Sequence, residues 1–353
     1  MIVMGRPQIK LDYIVKNEKL AGNDCNSYIR SFCADERFIE RLYEEVEKNA
    51  AILKLMNKSD LKKEITECYS AICLVERSLR RQGSLQDLHL EVEDTTPHCL
   101  PCNTISQIST GTDVNDAVVD SAPDKSLEEC LLTFTAIRHN AKYLVFYDVC
   151  SGKGILSFLL AILFPEVSKI IMIDSNADMN LAHLDADCCS SITYCNYDIH
   201  SEEFAQFIAK ESVAYRSLNF IPIVIGVHLC GALSTRLTQL YNTNNLSILI
   251  VSPCCAPTRS KKITVFMTRE KLRKNKWSSY EFWYMSVYVS ISASLSVRDV
   301  VKDDLVLSEK NTLIVAIKKT FLQHTSAASL CEGSDGDVGR LSLGVSDASI
   351  GPD

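Results

Sequence analysis

Acidic residues and glycines recur where apolar segments end, and this spacing suits the binding of a small ligand. Asp148 closes one apolar run, and Gly152 and Gly154 follow it in the turn Asp-Val-Cys-Ser-Gly-Lys-Gly. Asp174 ends a second apolar run, and Asp198 follows a third. Glycines let a backbone approach a ligand closely, and carboxylates accept hydrogen bonds from sugar hydroxyls or pair with cations. The pattern predicts a site for a nucleoside-type ligand.

The segment after the turn, residues 155–164, is almost entirely apolar and predicts a buried helix. A helix N-terminus offers unpaired N–H groups and positive potential to a ligand. In open α/β sheets, ligands bind at the carboxyl ends of the strands, where these acids would meet. A simple strand-to-helix turn with two surface carboxylates is the structural alternative.

The acids favour S-adenosylmethionine over a dinucleotide. Dinucleotide-binding loops follow the pattern G-x-G-x-x-G, whereas Ser157 stands at the third glycine position here. Asp148 could pair with the ligand's ammonium group, Asp174 could bind the ribose, and Asp198 could accept a hydrogen bond from the adenine amino group. Cys150 also belongs to this predicted cofactor loop, at a position where glycine is usual.

Three segments together resemble a group of class I methyltransferases. They are the loop at 148–154, Val-His-Leu-Cys-Gly-Ala-Leu-Ser at 227–234, and Ser-Pro-Cys-Cys at 252–255. Glu-Lys-Asn-Thr-Leu-Ile-Val at 309–315 is similar to the last strand of that group. The group includes the methyltransferase-like 25-type proteins, the glutathione S-transferase C-terminal-domain-containing protein and a tRNA 2′-O-methyltransferase family. The resemblance covers residues 126–320 and implies a methyltransferase that uses S-adenosylmethionine.

His228, Cys254 and Cys255 are the candidate catalytic residues. The resemblance implies an acceptor site after the fourth strand, where His228 lies, and a cysteine near the fifth strand, which Cys254 and Cys255 follow. Imidazole titrates near neutral pH, so His228 could remove a proton from the acceptor, or it could merely orient a loop. A cysteine at 254 or 255 could attack a pyrimidine ring as a nucleophile, favoured by basic residues downstream. Packing beneath the ligand is the alternative for both cysteines.

Zinc is a further alternative, because Cys230 and His228 join the paired cysteines as suitable ligand types. Adjacent cysteines rarely both bind one structural zinc, so the sequence favours no metal. The single CxxC at 99–102 is read as inert loop sequence.

Residues 259–276 contain eight basic residues and one acid, and an aromatic segment at 277–284 follows them. Basic residues bind phosphates and aromatic faces stack on unpaired bases, which predicts an RNA acceptor such as tRNA or rRNA. A solvated helix face followed by a core strand is the alternative.

The composition predicts a soluble protein of a reducing compartment. The 353 residues are 46% hydrophobic and 23% charged, with a net charge of −7 that argues against nucleic acid covering the whole surface. Many of the fifteen cysteines lie in apolar runs, as buried thiols do. Without a secretory signal or a membrane-spanning run, we expect a cytoplasmic protein, with a nuclear location left open.

The elements that must position these residues form an α/β, Rossmann-like fold with a mainly parallel sheet and helices on both faces. Residues 1–82 are predicted as mainly helical, 83–125 as a linker or long insertion, 126–321 as the methyltransferase domain, and 322–353 as a disordered tail. The predicted strands are 143–148, 169–174, 191–197, 221–228 and 247–252, followed by a terminal antiparallel hairpin at 299–307 and 312–318.

Two further functions stay open. The chain could be a binding protein that kept the fold without catalysis, or its acceptor could be a protein or a small molecule.

Overall fold

The structure, a computed structural model, describes residues 9–21, 26–90, 134–255, 278–308 and 310–323. The predicted tail from residue 324 onward, most of the predicted linker and the basic segment at 259–276 lie outside the described residues.

Within the described residues, seven strands form one sheet in the order β3-β2-β1-β4-β5-β7-β6. The strands are β1 Leu144–Val149, β2 Lys169–Asp174, β3 Ile192–Asn196, β4 Ile221–Leu229, β5 Ile248–Pro253, β6 Ser296–Lys302 and β7 Thr312–Lys318. Strands β1 to β5 are parallel, and β7 runs antiparallel between β5 and β6. The predicted Rossmann-like class I methyltransferase fold with its antiparallel hairpin is confirmed.

The helices of the described chain flank this sheet. They are α1 Lys10–Ala21, α2 Ser27–Ala34, α3 Glu36–Lys48, α4 Ala50–Leu55, α5 Leu61–Leu90, α6 Thr135–Asn140, α7 Ile155–Leu163, α8 Glu202–Ser217, α9 Ala232–Thr243, α10 Ser279–Ser290 and α11 Lys319–Gln323. None of these described helices has the length and apolar character needed to cross a membrane.

Three sequence expectations about element bounds need correction. Helix α5 continues to Leu90, inside the segment predicted as a linker from residue 83. The strand predicted at 299–307 ends at Lys302, because the Asp303 carboxylate accepts from the Leu305 backbone N–H at 3.0 Å and turns the chain. The core strand, which is the alternative for the aromatic segment, is also wrong, because residues Ser279–Ser290 form helix α10.

The N-terminal helices belong to the same hydrophobic core as one face of the sheet. Phe32 of α2 and Ile72 of α5 pack in one buried cluster with Phe146 of β1 and Ile250 of β5. Helices α8, α9 and α10 cover the opposite face in a second buried cluster. The N-terminal helices therefore bury one of the two faces of the sheet together with α7, and the sheet is not a core that stands apart from them.

A buried polar anchor fixes α2 and α5 against the turn after β6. The hydroxyls of Tyr28 and Ser70 both donate to the carboxylate of Asp303, which is itself buried. Removing that carboxylate would leave two buried hydroxyls without an acceptor.

We therefore expect Asp303→Ala to lower the free energy of unfolding by about 2–4 kcal/mol, because two buried hydroxyls and the Leu305 N–H lose their acceptor. Chemical denaturation followed by circular dichroism would measure this loss. The matched control is Asp304→Ala at the exposed neighbouring position, with an expected change within about 0.5 kcal/mol. Equal effects of the two substitutions would contradict the anchoring role of Asp303.

Candidate functional site

The loop between β1 and α7 is built from residues in the left-handed region of backbone conformation. Cys150, Gly152 and Gly154 have φ values of 57°, 54° and 73°. The Gly154 N–H donates to the Ser151 carbonyl at 2.9 Å, which closes the turn. Glycine adopts this region without cost, whereas a cysteine is strained by about 1–2 kcal/mol. Position 150 therefore requires a left-handed backbone, which is why glycine is usual there. Cys150 adopts this backbone under strain.

Asp174, at the end of β2, holds the loop in place. Its carboxylate accepts from the Gly152 N–H at 3.0 Å and from the Asn176 N–H at 3.0 Å. The side chain is half-buried, and each carboxylate oxygen keeps a lone pair for another donor. The structure thus brings Asp174 to the loop that the sequence predicted it would join.

Asp148 lies inside the protein at the end of β1. Only 4% of its surface is exposed, and its carboxylate accepts from the Ser157 hydroxyl of α7 at 2.7 Å. Burial raises the pKa of Asp148 to about 6, against the opposing effect of the hydrogen bonds from Ser157. Ser157, which occupies the third glycine position of the loop pattern, therefore serves as the internal partner of this acid.

The remaining predicted cofactor residues lie around the same edge of the sheet. Burial raises the pKa of the Cys150 thiol to about 12, helped by the nearby carboxylates of Asp174 and Asp148. Asp198 is exposed just beyond β3, and its carboxylate accepts from the His200 N–H at 2.9 Å. The exposed carboxylate is free to turn toward a ligand once that short local bond is broken.

His228 occupies an irregular point of β4. The register between β4 and β5 shifts between Gly226 and Leu229, and His228 has a φ of 61°. A bulge of this kind redirects a side chain out of the regular alternation of a strand, and such bulges occur next to active sites.

The partner of His228 is Glu67 of helix α5. The imidazole Nε2 pairs with the Glu67 carboxylate, and the side chains are 32% and 5% exposed respectively. Sequence reasoning missed Glu67, because it treated α5 as a packing helix only. The signal was a carboxylate between the buried residues Thr66 and Cys68, where an apolar residue would be expected.

The three cysteines near the ends of β4 and β5 form one cluster. The sulfur atoms of Cys230, Cys254 and Cys255 all lie within 4.8 Å of one another. Burial and the neighbouring thiols raise the pKa of Cys254 to about 12. The described surroundings therefore favour the thiol, whereas the nucleophile hypothesis assumed a thiolate stabilised by basic residues that lie outside the described chain.

Two of the aromatic residues after the basic segment are buried. Trp283 and Tyr284 are 3% and 8% exposed and pack between α10 and the sheet. Helix α10 begins with a capping box between Ser278 and Glu281, which explains why this segment is a helix. These two rings belong to the core, so the stacking hypothesis loses both of them.

Residues 125–261 match a family model described as a methyltransferase domain. Among solved structures, the precorrin-6y C5,15-methyltransferase of Geobacter metallireducens is 14% identical, with 50% of this chain and 80% of that chain covered and a TM-score of 0.27. The small RNA methyltransferase HEN1 is 13% identical, with 52% and 25% covered and a TM-score of 0.32. Structural similarities this weak do not indicate the substrate of this chain. No curated protein matches it.

We expect Asp148→Asn to stabilise the ligand-free protein at neutral pH. The pKa of Asp148 in the folded protein, about 6, lies above its ordinary 3.8, so ionisation of this carboxyl opposes folding. This penalty is absent below about pH 4 and complete above about pH 7, and it amounts to about 3 kcal/mol at most. The asparagine variant should therefore gain about 1–3 kcal/mol in free energy of unfolding at about pH 7.5 and nothing at about pH 4.

Urea denaturation at the two pH values measures this difference. Asp178→Asn, at an exposed acid beyond β2, is the matched control and should show no such pH-dependent gain. A gain for Asp148→Asn of the same size at both pH values would refute the burial explanation.

Proposed function

We propose that this protein is an S-adenosylmethionine-dependent methyltransferase with an RNA acceptor. The proposal rests on the positions of three features of the chain. The residues matched by the methyltransferase-domain model include the left-handed loop after β1, the acid that holds it, and the bulged histidine of β4. All of these follow the carboxyl ends of neighbouring parallel strands, where ligands of such sheets bind.

The residues present fit the cofactor. A methyl group added at Gly152 would meet no atom within 4 Å, so there is open space against the loop. Asp174 would bind the ribose hydroxyls, and Asp198 would accept from the adenine amino group. Asp148 would support the loop and would place a negative charge near the cofactor's ammonium group. The bound cofactor supplies a methyl group already activated on a sulfonium.

The chain's own task is then to align the acceptor and to remove its proton. His228 would take that proton, because it lies at the end of β4 beside the loop and keeps about a third of its side chain exposed. Glu67 would orient the imidazole and stabilise the imidazolium that forms, since the carboxylate is buried against it. Glu67 is thus a positioning residue supplied by the N-terminal helices.

The choice of RNA rests on the sequence. Residues 259–276 follow β5 directly and carry eight basic residues against one acid, in a chain whose net charge is −7. A local basic segment of this kind binds phosphates, and the resemblance to a tRNA 2′-O-methyltransferase family supports the same acceptor class. A protein or small-molecule acceptor is the alternative within the same reaction.

The second candidate is a binding protein with this fold and no turnover. Two observations favour it: Cys150 is strained where glycine is usual, and Asp148 is turned inward to Ser157. This candidate predicts cofactor binding without methyl transfer to any fraction of RNA or protein.

Substitutions at the two loop glycines separate ligand binding from folding. At position 154 an added methyl group would lie 2.5 Å from the sulfur and the terminal carbon of the buried Met172, whereas position 152 is open. Gly154→Ala should therefore lower the free energy of unfolding by about 2–4 kcal/mol, from strain and steric overlap together. Gly152→Ala should lower it by only about 1–2 kcal/mol, yet weaken S-adenosylmethionine binding by at least about tenfold, because the methyl group projects into the ligand space.

Isothermal titration calorimetry with S-adenosylmethionine and urea denaturation of each variant would measure both effects. Unchanged cofactor affinity in the folded Gly152→Ala variant would remove the loop from the binding site.

Transfer of labelled methyl groups from S-adenosylmethionine to fractionated RNA and protein tests the reaction itself. We expect His228→Ala to lower the transfer rate by about a hundredfold or more while leaving cofactor affinity unchanged, because a general base contributes about 10²–10⁴ in rate. Glu67→Gln should lower the rate by about tenfold or more and move the pH profile of the reaction, because the imidazolium loses its carboxylate.

Glu64→Gln is the matched control on the same helix, since Glu64 pairs with Lys58 and not with His228. A His228→Ala variant as active as the wild type would overturn the proposed base. Cofactor binding with no transfer by the wild-type chain would favour the non-catalytic candidate.

A further inference from the structure

We propose that Cys230, Cys254 and Cys255 bind a thiophilic metal ion, Zn²⁺ in the first instance, as a three-thiolate site at the ends of β4 and β5. This inference does not depend on the methyltransferase proposal, because it uses none of the residues predicted to hold the cofactor. It also reverses the expectation drawn from the sequence, which favoured no metal.

The sulfur positions suit a single ion. The three sulfur atoms lie within 4.8 Å of one another, and those of Cys254 and Cys255 are 3.3 Å apart. Three thiolates at the Zn–S distance of about 2.3 Å in a tetrahedral site are about 3.8 Å apart. One observed separation, 3.3 Å, is below this value and none exceeds 4.8 Å, so small side-chain rotations would complete the geometry.

Adjacent cysteines can act together here because they lie beyond the strand. Successive side chains of a strand point to opposite faces, but β5 ends at Pro253. Cys254 and Cys255 follow that end, so the alternation no longer separates their sulfur atoms. Two adjacent cysteines can therefore both bind one ion at this position.

The backbone already holds the two segments that carry the sulfur atoms. The Cys254 N–H donates to the Leu229 carbonyl at 3.1 Å, and the Gly231 N–H donates to the Cys255 carbonyl at 2.9 Å. Gly231 has a φ of 55°, which lets the chain turn back toward β5. These bonds flank Cys230 on both sides and keep it against the cysteine pair without any ion.

The ligand set points to a soft or borderline ion with an open coordination position. Thiolates select Zn²⁺ or Cu⁺ over Mg²⁺ and Ca²⁺, which prefer oxygen ligands. The Nε2 atom of His228 faces Glu67, so the cluster offers three sulfur ligands and leaves a fourth position for water or another ligand. Cys230 and Cys255 are exposed, which gives an ion a path from solvent.

Binding of Zn²⁺ and of Co²⁺ to the full-length, reduced, metal-free protein tests the site. We expect the cluster to bind one equivalent of ion, with the sulfur-to-cobalt charge-transfer absorption of thiolate ligands, and to raise the melting temperature. Cys230→Ser, Cys254→Ser and Cys255→Ser should each weaken Zn²⁺ binding by about tenfold or more.

Two controls make the result specific. Cys195→Ser removes a half-buried thiol of β3 outside the cluster, and a double substitution of Cys99 and Cys102 by serine removes the CxxC of the sequence; both should bind the ion as the wild type does. Cys255→Ser replaces an exposed side chain, so its fold is expected to persist, and circular dichroism of each metal-free variant verifies this.

Wild-type Zn²⁺ affinity in the folded Cys255→Ser variant would overturn the proposal. Loss of the ion only in the Cys99 and Cys102 variant would also overturn it, by placing the metal elsewhere. A Cys254–Cys255 disulfide that persists under reducing conditions, detected by mass spectrometry, with no binding of Zn²⁺ or Co²⁺, would replace the metal site by a redox pair.

Discussion

The pairing of Glu67 with His228 is the contact on which the arrangement of the site depends. A carboxylate that is 5% exposed is costly to bury unless it is paired, and Glu67 pairs with His228 of the sheet as well as with Lys63 of its own helix. The contact fixes α5 over the carboxyl end of β4. It also gives a physical reason for the left-handed backbone at His228, because a regular strand would not place the imidazole there. The helical N-terminal layer is thus part of the site as well as part of the core.

Polar groups inside this fold work in two ways. Asp303 and Glu76 join the N-terminal layer to later segments: Glu76 is fully buried and accepts from the Ala136 and Ile137 N–H groups at the start of α6. Asp148 and Asp174 instead shape the loop after β1. The first set stabilises the packing of the layers, whereas Asp148 remains under a desolvation penalty that its hydrogen bonds only partly offset. A group held under such a penalty is typical of functional sites rather than of structural anchors.

The sequence predicted the sheet well because four of its five parallel strands, β1, β2, β4 and β5, are mostly apolar runs. The acids Asp148 and Asp174, which mark the site, stand at the ends of two of them. Asp174 contacts the predicted loop through the Gly152 N–H, whereas Asp148 turns inward to Ser157. The ligand roles of both acids stay predictions. Tertiary contacts account for what the sequence missed. Glu67 looks like an ordinary charge on a helix until the sheet packs against it. Helix α10 is rich in aromatic and β-branched residues that favour strands, but its capping box and its packing position decide otherwise.

The turn between β4 and α9 couples the two chemistries inferred for this edge of the sheet. His228 and Cys230 are separated by one residue, Leu229, whose carbonyl accepts from the Cys254 N–H. His228, near the end of β4, and Gly231, in the turn that follows, both have positive φ values, of 61° and 55°. On one side Glu67 fixes the imidazole, and on the other the cysteine cluster lies at the end of β5. An ion held by the three sulfur atoms would therefore restrict the same few backbone angles that place the His228 imidazole against Glu67. In this geometry, metal binding and orientation of the histidine are two constraints on one short segment of chain.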